Sequence, residues 1–263
     1  MEQAAGQVLL QRSAPVRPTG AGEIVLRLAR QVRLLDAEAA TELGSADAGP
    51  STMSLAVNAD SLATWFLDAL VEVRRATEVV FDLHREDQDR TAALLRDGTV
   101  MAAVTAESRP VQGCSAVPLG TDRYLAVASP GFVDRYLDGP RSERATIDRL
   151  DQVPLVDFDR ADGLQQGFLR HMLGHPPRSP RHFVPSSADF ARAVELGLGW
   201  GLLPESQALE PLRSGRLVHL TPGRHADVTL WWQRWNLRSP LLDRITDAVR
   251  RVASERLHPV PEP

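Results

Sequence analysis

From Glu23 to Leu43 no proline or glycine interrupts the chain, and Val25, Leu28, Val32, Leu35 and Ala39 recur at alternating spacings of three and four. That is the seam of a coiled coil, and it predicts a helix of about 20 residues, roughly 30 Å long. Gly44 stops it, and 45–51, which contains Gly49-Pro50, reads as a hinge. No second helix lies beside it in sequence, so Val25, Leu28, Val32 and Leu35 are expected to pair with another copy of the chain. A helix packed on its own domain is the alternative. Before it, 12–22 holds two prolines and two glycines and reads as an extended, turn-rich loop that projects Arg12 and Arg17. Thr19 is placed to cap the helix that follows.

From Thr52 the pattern changes to short apolar strands alternating with helical stretches. Strands are expected at 53–57, 79–83, 100–105, 124–128, 155–158, 182–184 and 200–203, with a long one at 228–235. Helices are expected at 61–74, 89–96, 163–173 and 188–196. A last helix starts at Ser239-Pro240 and carries Leu241, Ile245, Ala248 and Val252 on one face. Such alternation implies parallel strands joined by crossover helices, an α/β fold. Two comparable α/β units with a long returning strand suggest two lobes joined by two crossing strands. In open α/β sheets ligands sit beyond the carboxyl ends of strands, so a cleft between the lobes is the expected site.

Composition narrows the class. The chain has 263 residues, 43% hydrophobic and 24% charged, too apolar for disorder, and no apolar run approaches the length of a membrane span. No secretory leader is expected. The lone Cys114 excludes an internal disulfide and suits a reducing cytoplasm. The net charge is −4, but residues 1–35 hold five arginines against two glutamates, +3, which leaves −7 on the rest. A basic arm on an acidic body fits a polyanion at one end and a cationic or neutral partner at the other.

Catalytic signals fail. His171 and His175 have the spacing of a helical metal pair, but Gly174 and Pro176 break that helix and no third ligand stands near. There is no nucleophile elbow, phosphate loop or dinucleotide fingerprint, so no enzyme, metal or cofactor is expected. Trp231, Trp232 and Trp235 read as core and interface residues of the last strand.

Arg12-x-x-x-x-Arg17-Pro18-Thr19-x-x-Gly22 followed by a long amphipathic helix resembles the wing and linker helix of LysR-type transcriptional regulators. Gly197-Leu-Gly-Trp-Gly-Leu-Leu-Pro204 resembles the glycine-rich turn and strand of their effector domain. Four stretches resemble the ArgP/LysG branch, which senses basic amino acids and controls their export. They are Val57-Asn-Ala-Asp-Ser-Leu-Ala-Thr-Trp-Phe66, Glu86-Asp-Gln-Asp89, Gly98-Thr-Val-Met-Ala-Ala-Val-Thr105 and Asp162-Gly-Leu-Gln165. The resemblance implies a two-lobed, periplasmic-binding-protein-like effector domain preceded by a winged-helix remnant and a linker helix. It assigns 1–22 to the end of a recognition helix and wing, 23–44 to the linker helix and 45–51 to the hinge. Lobe I takes 52–128 and 228–263, and lobe II takes 129–227. It also implies that the chain starts at the tail of a recognition helix. The chain alone would then lack operator specificity, because base readout belongs to that helix and phosphate contacts only position.

A basic amino acid offers an α-carboxylate, an α-ammonium and a distal cation, and a matching pocket needs hydroxyls and N–H groups for the first and carboxylates for the others. The expected effector-binding residues are Asp60, Ser61 and Thr64 after the first strand, Asp87 after the second, and Thr105 and Glu107 after the third. In the other lobe they are Asp159, Asp162, Ser186 and Ser187. Asp60, Ser61 and Asp162 fit equally as helix N-caps, the run 86–89 as a solvated turn, and Glu107 as an exposed side chain. Expected DNA contacts are Arg12, Arg17 and Thr19. The implied partners are DNA, L-lysine or L-arginine, and further copies in a homodimer or homotetramer, with no membrane. A cytoplasmic two-lobed amino-acid-binding module without DNA function is the competing class.

Overall fold

The structure, a computed structural model, describes residues 1–43, 51–85, 88–137 and 143–260. Of the hinge expected at 45–51, residues 45–50 lie outside the described residues, as do the candidate residues Glu86 and Asp87. Two compact units are present, one made of Met1–Leu119 and Leu230–Glu255, the other of Gly120–Thr229 and Arg256–Pro263.

The first unit opens with helix α1 (Glu2–Ala5) and a hairpin of β1 (Leu10–Gln11) and β2 (Arg17–Pro18), paired antiparallel with Leu10 opposite Pro18. The region expected as loop is thus the tip and second strand of this hairpin, followed at 20–22 by the start of a helix. Glu2 Oε1 accepts the N–H groups of Leu9 and Leu10 at 2.7 and 3.1 Å, which ties the hairpin to α1 and holds the Glu2 carboxyl below its ordinary range. Helix α2 (Gly20–Glu42) follows and starts three residues before Glu23. Thr19 explains the early start. Its Oγ1 accepts the Gly22 N–H at 3.1 Å and donates to Val8 O at 2.6 Å, capping α2 and anchoring the hairpin together. A Cβ on Gly22 would stand 2.0 Å from Leu9 O, so only glycine lets hairpin and helix meet there.

Strand β3 (Ser51–Val57) leads to α3 (Ala59–Thr64) and α4 (Phe66–Ala76), then β4 (Val79–Arg85), α5 (Gln88–Arg96) and β5 (Ala102–Thr105). β3 runs parallel to β4, with Val57 opposite Arg85, and parallel to β5, with Ala56 opposite Ala103. These crossovers through helices are the expected α/β pattern. The apolar run Met53–Val57 is buried at Met53 and from Leu55 onward, as a strand covered on both faces must be. α4 buries Phe66, Ala69, Leu70 and Val73, a helical stripe. The single helix expected over 61–74 is broken at Trp65, whose backbone sits at φ −135°, ψ −25°.

β6 (Cys114–Ala128) carries the chain into the second unit. There follow α6 (Pro130–Tyr136), α7 (Glu143–Leu150), β7 (Leu155–Asp157), α8 (Leu164–Leu173), β8 (Arg181–Phe183), α9 (Ser187–Glu195), β9 (Gly201–Pro204), α10 (Glu205–Arg213) and β10 (Val218–His219). β7 and β8 are parallel, and β9 and β10 each pair antiparallel with β6. The core gathers Tyr124, Phe132, Leu150, Leu155, Leu169 and Trp200, with Phe190, Val194 and Leu203 on another face. β11 (His225–Trp235) returns the chain to the first unit, antiparallel to β5 with Trp231 opposite Thr105. α11 (Pro240–Arg256) closes it, burying Leu241, Ile245, Ala248 and Val252 as expected.

Candidate functional site

Asn58 caps α3 by position, yet its side chain makes no capping bond and its buried Oδ1 has no partner. The Ser61 Oγ and the Trp65 Nε1 are likewise buried without a hydrogen-bond partner. Asn58 is the N-cap of α3, Ser61 lies within it and Trp65 is its C-cap, so all three belong to the short segment that follows β3. Ser61 is 0% exposed and Trp65 3%. An acceptor, a hydroxyl and an N–H donor held out of water and unpaired cost free energy, roughly 1–3 kcal/mol each, unless something supplies their bonds. Among the described residues of the first unit, Gln31 Nε2 on α2 is the other buried side-chain polar atom without a partner, and the second unit holds further ones, the Asp157 Oδ1 among them.

The neighbouring candidates are engaged within the chain. Thr64 Oγ1 donates to Asp60 O at 2.7 Å along the helix. Thr105 is buried, and its Oγ1 accepts the Glu107 N–H at 3.1 Å. Exposed Glu107 turns its Oε1 to the Arg109 N–H at 3.0 Å. Gln233 on β11 fixes this loop, with Nε2 donating to Glu107 O and Arg109 O at 2.9 and 3.1 Å and Oε1 accepting from Val111 N–H at 3.0 Å. Asp60 also has an interaction of its own.

In the second unit, Asp159 Oδ1 accepts the N–H groups of Ala161 and Asp162 at 2.7 and 2.9 Å, and Asp162 Oδ1 that of Leu164 at 2.9 Å. Both carboxylates thus shape the turn into α8. Ser186 caps α9 by accepting the Asp189 N–H at 3.5 Å. Ser187 is buried and its Oγ accepts from Gln207 Nε2 at 2.9 Å.

Two residues in this region escaped the sequence reading. Asp157, fully buried at the end of β7, is bonded through Oδ2 to Arg181 Nε. Burial pushes its carboxyl up, and the Arg181 bond and charge oppose the shift. With the Gln166 amide turned to suit its neighbours, its oxygen accepts from Arg181 Nε and Nη1 at 3.0 and 3.1 Å. The Phe183 ring lies under both Arg160 and Arg181, 4.6 and 4.9 Å from the guanidinium carbons. Asp157 stood inside an apolar run taken as plain strand, and a carboxylate in such a run was the available signal. Asn58 and Trp65 were equally visible as polar groups flanking Ser61.

Other expectations are placed as follows. Arg12 and Arg17 are exposed on the hairpin, and Thr19 is half-buried. On α2, Leu28, Val32 and Leu35 are 59, 55 and 37% exposed and Val25 is half-buried, while Leu34 packs on its own unit. His171 and His175 are exposed, and among the described residues no group of His, Cys, Asp and Glu is arranged to hold a metal ion. Cys114 is buried and its thiol is pushed up to about 12 by desolvation. No described helix is long and apolar enough to cross a membrane.

The LysR substrate binding domain family matches residues 47–254. The chain belongs to this family of transcriptional regulators and, within it, to the LysG/ArgP regulators. It is 45% identical over 258 residues to the HTH-type transcriptional regulator LysG of Mycobacterium tuberculosis, covering 97% of this chain and 82% of that protein. The crystal structure of ArgP from Mycobacterium tuberculosis superposes with a TM-score of 0.87 at 43% identity, covering 98% of this chain and 86% of that one. Full-length LysG from Corynebacterium glutamicum, with the effector arginine bound, gives a TM-score of 0.83 at 39% identity, with the same coverage of 98% and 86%.

Proposed function

We propose that this chain senses a basic amino acid, arginine or lysine, and converts its binding into control of transcription of an amino-acid export function. The observation that carries this reading is the unpartnered trio Asn58 Oδ1, Ser61 Oγ and Trp65 Nε1 on α3 and its two caps. An α-amino-acid headgroup has the complementary chemistry. Its ammonium donates to Asn58, and its carboxylate accepts from Ser61 and Trp65. The 39% identical relative that holds arginine supports the choice of ligand. A distal cation needs carboxylates, and among the described residues Glu107 in the first unit and, separately, the buried Asp157 with Asp159 and Asp162 in the second are candidates for it, Asp87 being one by sequence alone. Asp60, Thr64, Thr105, Ser186 and Ser187 shape the turns that carry these groups.

The hairpin arginines Arg12 and Arg17 contact the DNA backbone in this reading, with Thr19 holding the hairpin rather than touching DNA. The exposed seam Leu28, Val32 and Leu35, with Val25 at its edge, pairs with a second copy in a homodimer or homotetramer. No reaction is catalysed, and the protein works in the cytoplasm, where its DNA lies.

Ligand binding to the folded state raises the melting temperature by mass action. Arginine or lysine at about 100 times its dissociation constant adds about 2.7 kcal/mol. Differential scanning fluorimetry is expected to show a shift of several degrees with either, and none with leucine. Equal shifts for all three, or none for any, remove the basic-amino-acid reading.

A further inference from the structure

Helix α2 is attached to its own unit at both ends of its charge pattern. Three backbone carbonyls at the carboxyl end of α5 each receive a side-chain donor. Trp235 Nε1 bonds Leu95 O at 3.0 Å, Arg27 Nη1 bonds Arg96 O at 3.3 Å, and Arg30 Nη1 bonds Asp97 O at 2.8 Å. The Arg27 guanidinium also lies over the Trp235 ring, 5.3 Å from its centroid, and its stem packs on Gly98, where a Cβ would stand 2.9 Å from Arg27 Cγ. Eight residues after Arg30, Glu38 Oε1 accepts from Ser239 Oγ at 2.5 Å and from the Leu241 N–H at 3.1 Å. Ser239 itself caps α11 by accepting the Leu242 N–H at 3.1 Å, so Glu38 completes the cap.

The signs match the helix dipoles. The carboxyl end of α5 carries partial negative charge and receives two guanidinium groups, and the amino end of α11 carries partial positive charge and receives a carboxylate. The Arg30–Asp97 carboxylate contact, at 3.5 Å and partly exposed, adds little by itself. The carbonyl and N–H bonds are the specific part. Both attachments also bracket one stretch of chain, because Trp235 ends β11 and Ser239 precedes α11. β11 is the strand that returns from the second unit and whose Gln233 fixes the loop at 107–111.

We infer that these contacts form a charge-matched latch between α2 and its unit, made of Arg27 and Arg30 on α5 and Glu38 on α11. Movement of the end of β11 on effector binding opens or tightens it. The helix behind the wing thereby reads the state of the sensor through three side chains. Polar contacts at a half-exposed surface are reversible, and a ligand shifts such an equilibrium only by its differential affinity for the two arrangements. The inference rests on the proposed effector reading for its driver, not for the latch itself.

Hydrogen exchange read by mass spectrometry on the full chain tests it. In Glu38→Gln and Arg30→Gln, the α2 amides are expected to exchange at least threefold faster than in the wild type, while the β3 amides keep their rates. Arg30→Lys, which keeps the charge, is expected to restore most of the protection. Arginine should change α2 exchange at least threefold in the wild type, and leave it unchanged in the double variant although calorimetry shows that arginine still binds. Variants with wild-type α2 exchange overturn the latch, as does arginine binding to the wild type with no response in α2. If arginine gives no binding heat, the effector reading fails instead, and the ligand-free comparison alone then decides the latch.

Discussion

Ser61→Ala is expected to weaken arginine binding about 10- to 100-fold without lowering the melting temperature. The two halves of that result come from one fact. Ser61 Oγ is fully buried and makes no hydrogen bond within the chain. A hydrogen bond to a charged group contributes about 1.5–3 kcal/mol, and each 1.4 kcal/mol is a tenfold change in affinity. Removing an unsatisfied buried hydroxyl relieves its desolvation cost, so the unliganded variant holds its stability or gains a few degrees. A structural serine behaves oppositely. Loss of stability together with affinity makes Ser61 a fold residue, and unaltered binding takes it out of the site. Trp65→Phe is the companion variant for affinity, but it removes part of the buried indole along with the Nε1 donor, so some loss of stability from the space left is expected beside weaker arginine binding.

Gly199→Ala is expected to destabilise the second unit by about 1–3 kcal/mol, a loss typical of overpacking. Its Cβ would stand 2.9 Å from Pro154 O, 3.0 Å from Leu155 C and 3.1 Å from Leu155 Cα. All three are backbone atoms of the segment entering β7, and they cannot swing aside as a side chain can. The adjacent bonds, Trp200 N–H to Pro154 O at 3.2 Å and Val156 N–H to Trp200 O at 2.9 Å, would have to yield. Gly167→Ala is the control. Gly167 is exposed inside α8 with nothing within 4 Å of its Cβ position, so alanine there is expected to stabilise by up to about 1 kcal/mol. Thermal unfolding of the pair should show shifts of opposite sign, and equal shifts would contradict the packing account.

The Gly199 result bears on what could be read from the residues. The run Gly197-Leu-Gly-Trp-Gly signalled the family by resemblance, but its reason is tertiary. Gly197 sits at φ +82°, Gly199 touches the β7 backbone, and a Cβ on Gly201 would stand 2.8 Å from the Phe190 ring. Elements with clean periodicity were legible, among them α2, α9, α11 and the parallel strands β3, β4 and β5. β6 was read only over its last five residues. Its first ten include Pro118, Gly120, Thr121, Asp122 and Arg123, and the burial of Thr121 and Asp122 comes from neighbours that the pattern does not contain. α10 was missed because proline stands before it at Pro204 and inside it at Pro211. The break at Trp65 carries no such signal: the residue is buried, its indole edge-on to Phe66 at 5.7 Å, and its non-helical backbone is not written in the periodicity.

The candidate residues divide in a similar way. Residue type and position at strand ends singled out Ser61, a buried hydroxyl on α3, among the candidates, but could not show whether a side chain is engaged. Thr64, Thr105, Ser186 and Ser187 all have partners within the chain, and Asp159 and Asp162 hold their own turn. Hydrogen bonding, which depends on local backbone geometry, separates these from Asn58, Ser61 and Trp65. An acidic composition at strand ends is therefore a weaker guide than an orphaned polar atom.

The basic-amino-acid reading is tested most directly by calorimetric titration of the full chain with arginine and, in parallel, norleucine. Norleucine keeps the α-amino-acid headgroup and replaces the distal cation with an apolar chain. The account predicts saturable heat for arginine, and no binding or at least 100-fold weaker binding for norleucine. Equal affinity for the two, or a folded chain that gives no heat with arginine, would contradict it.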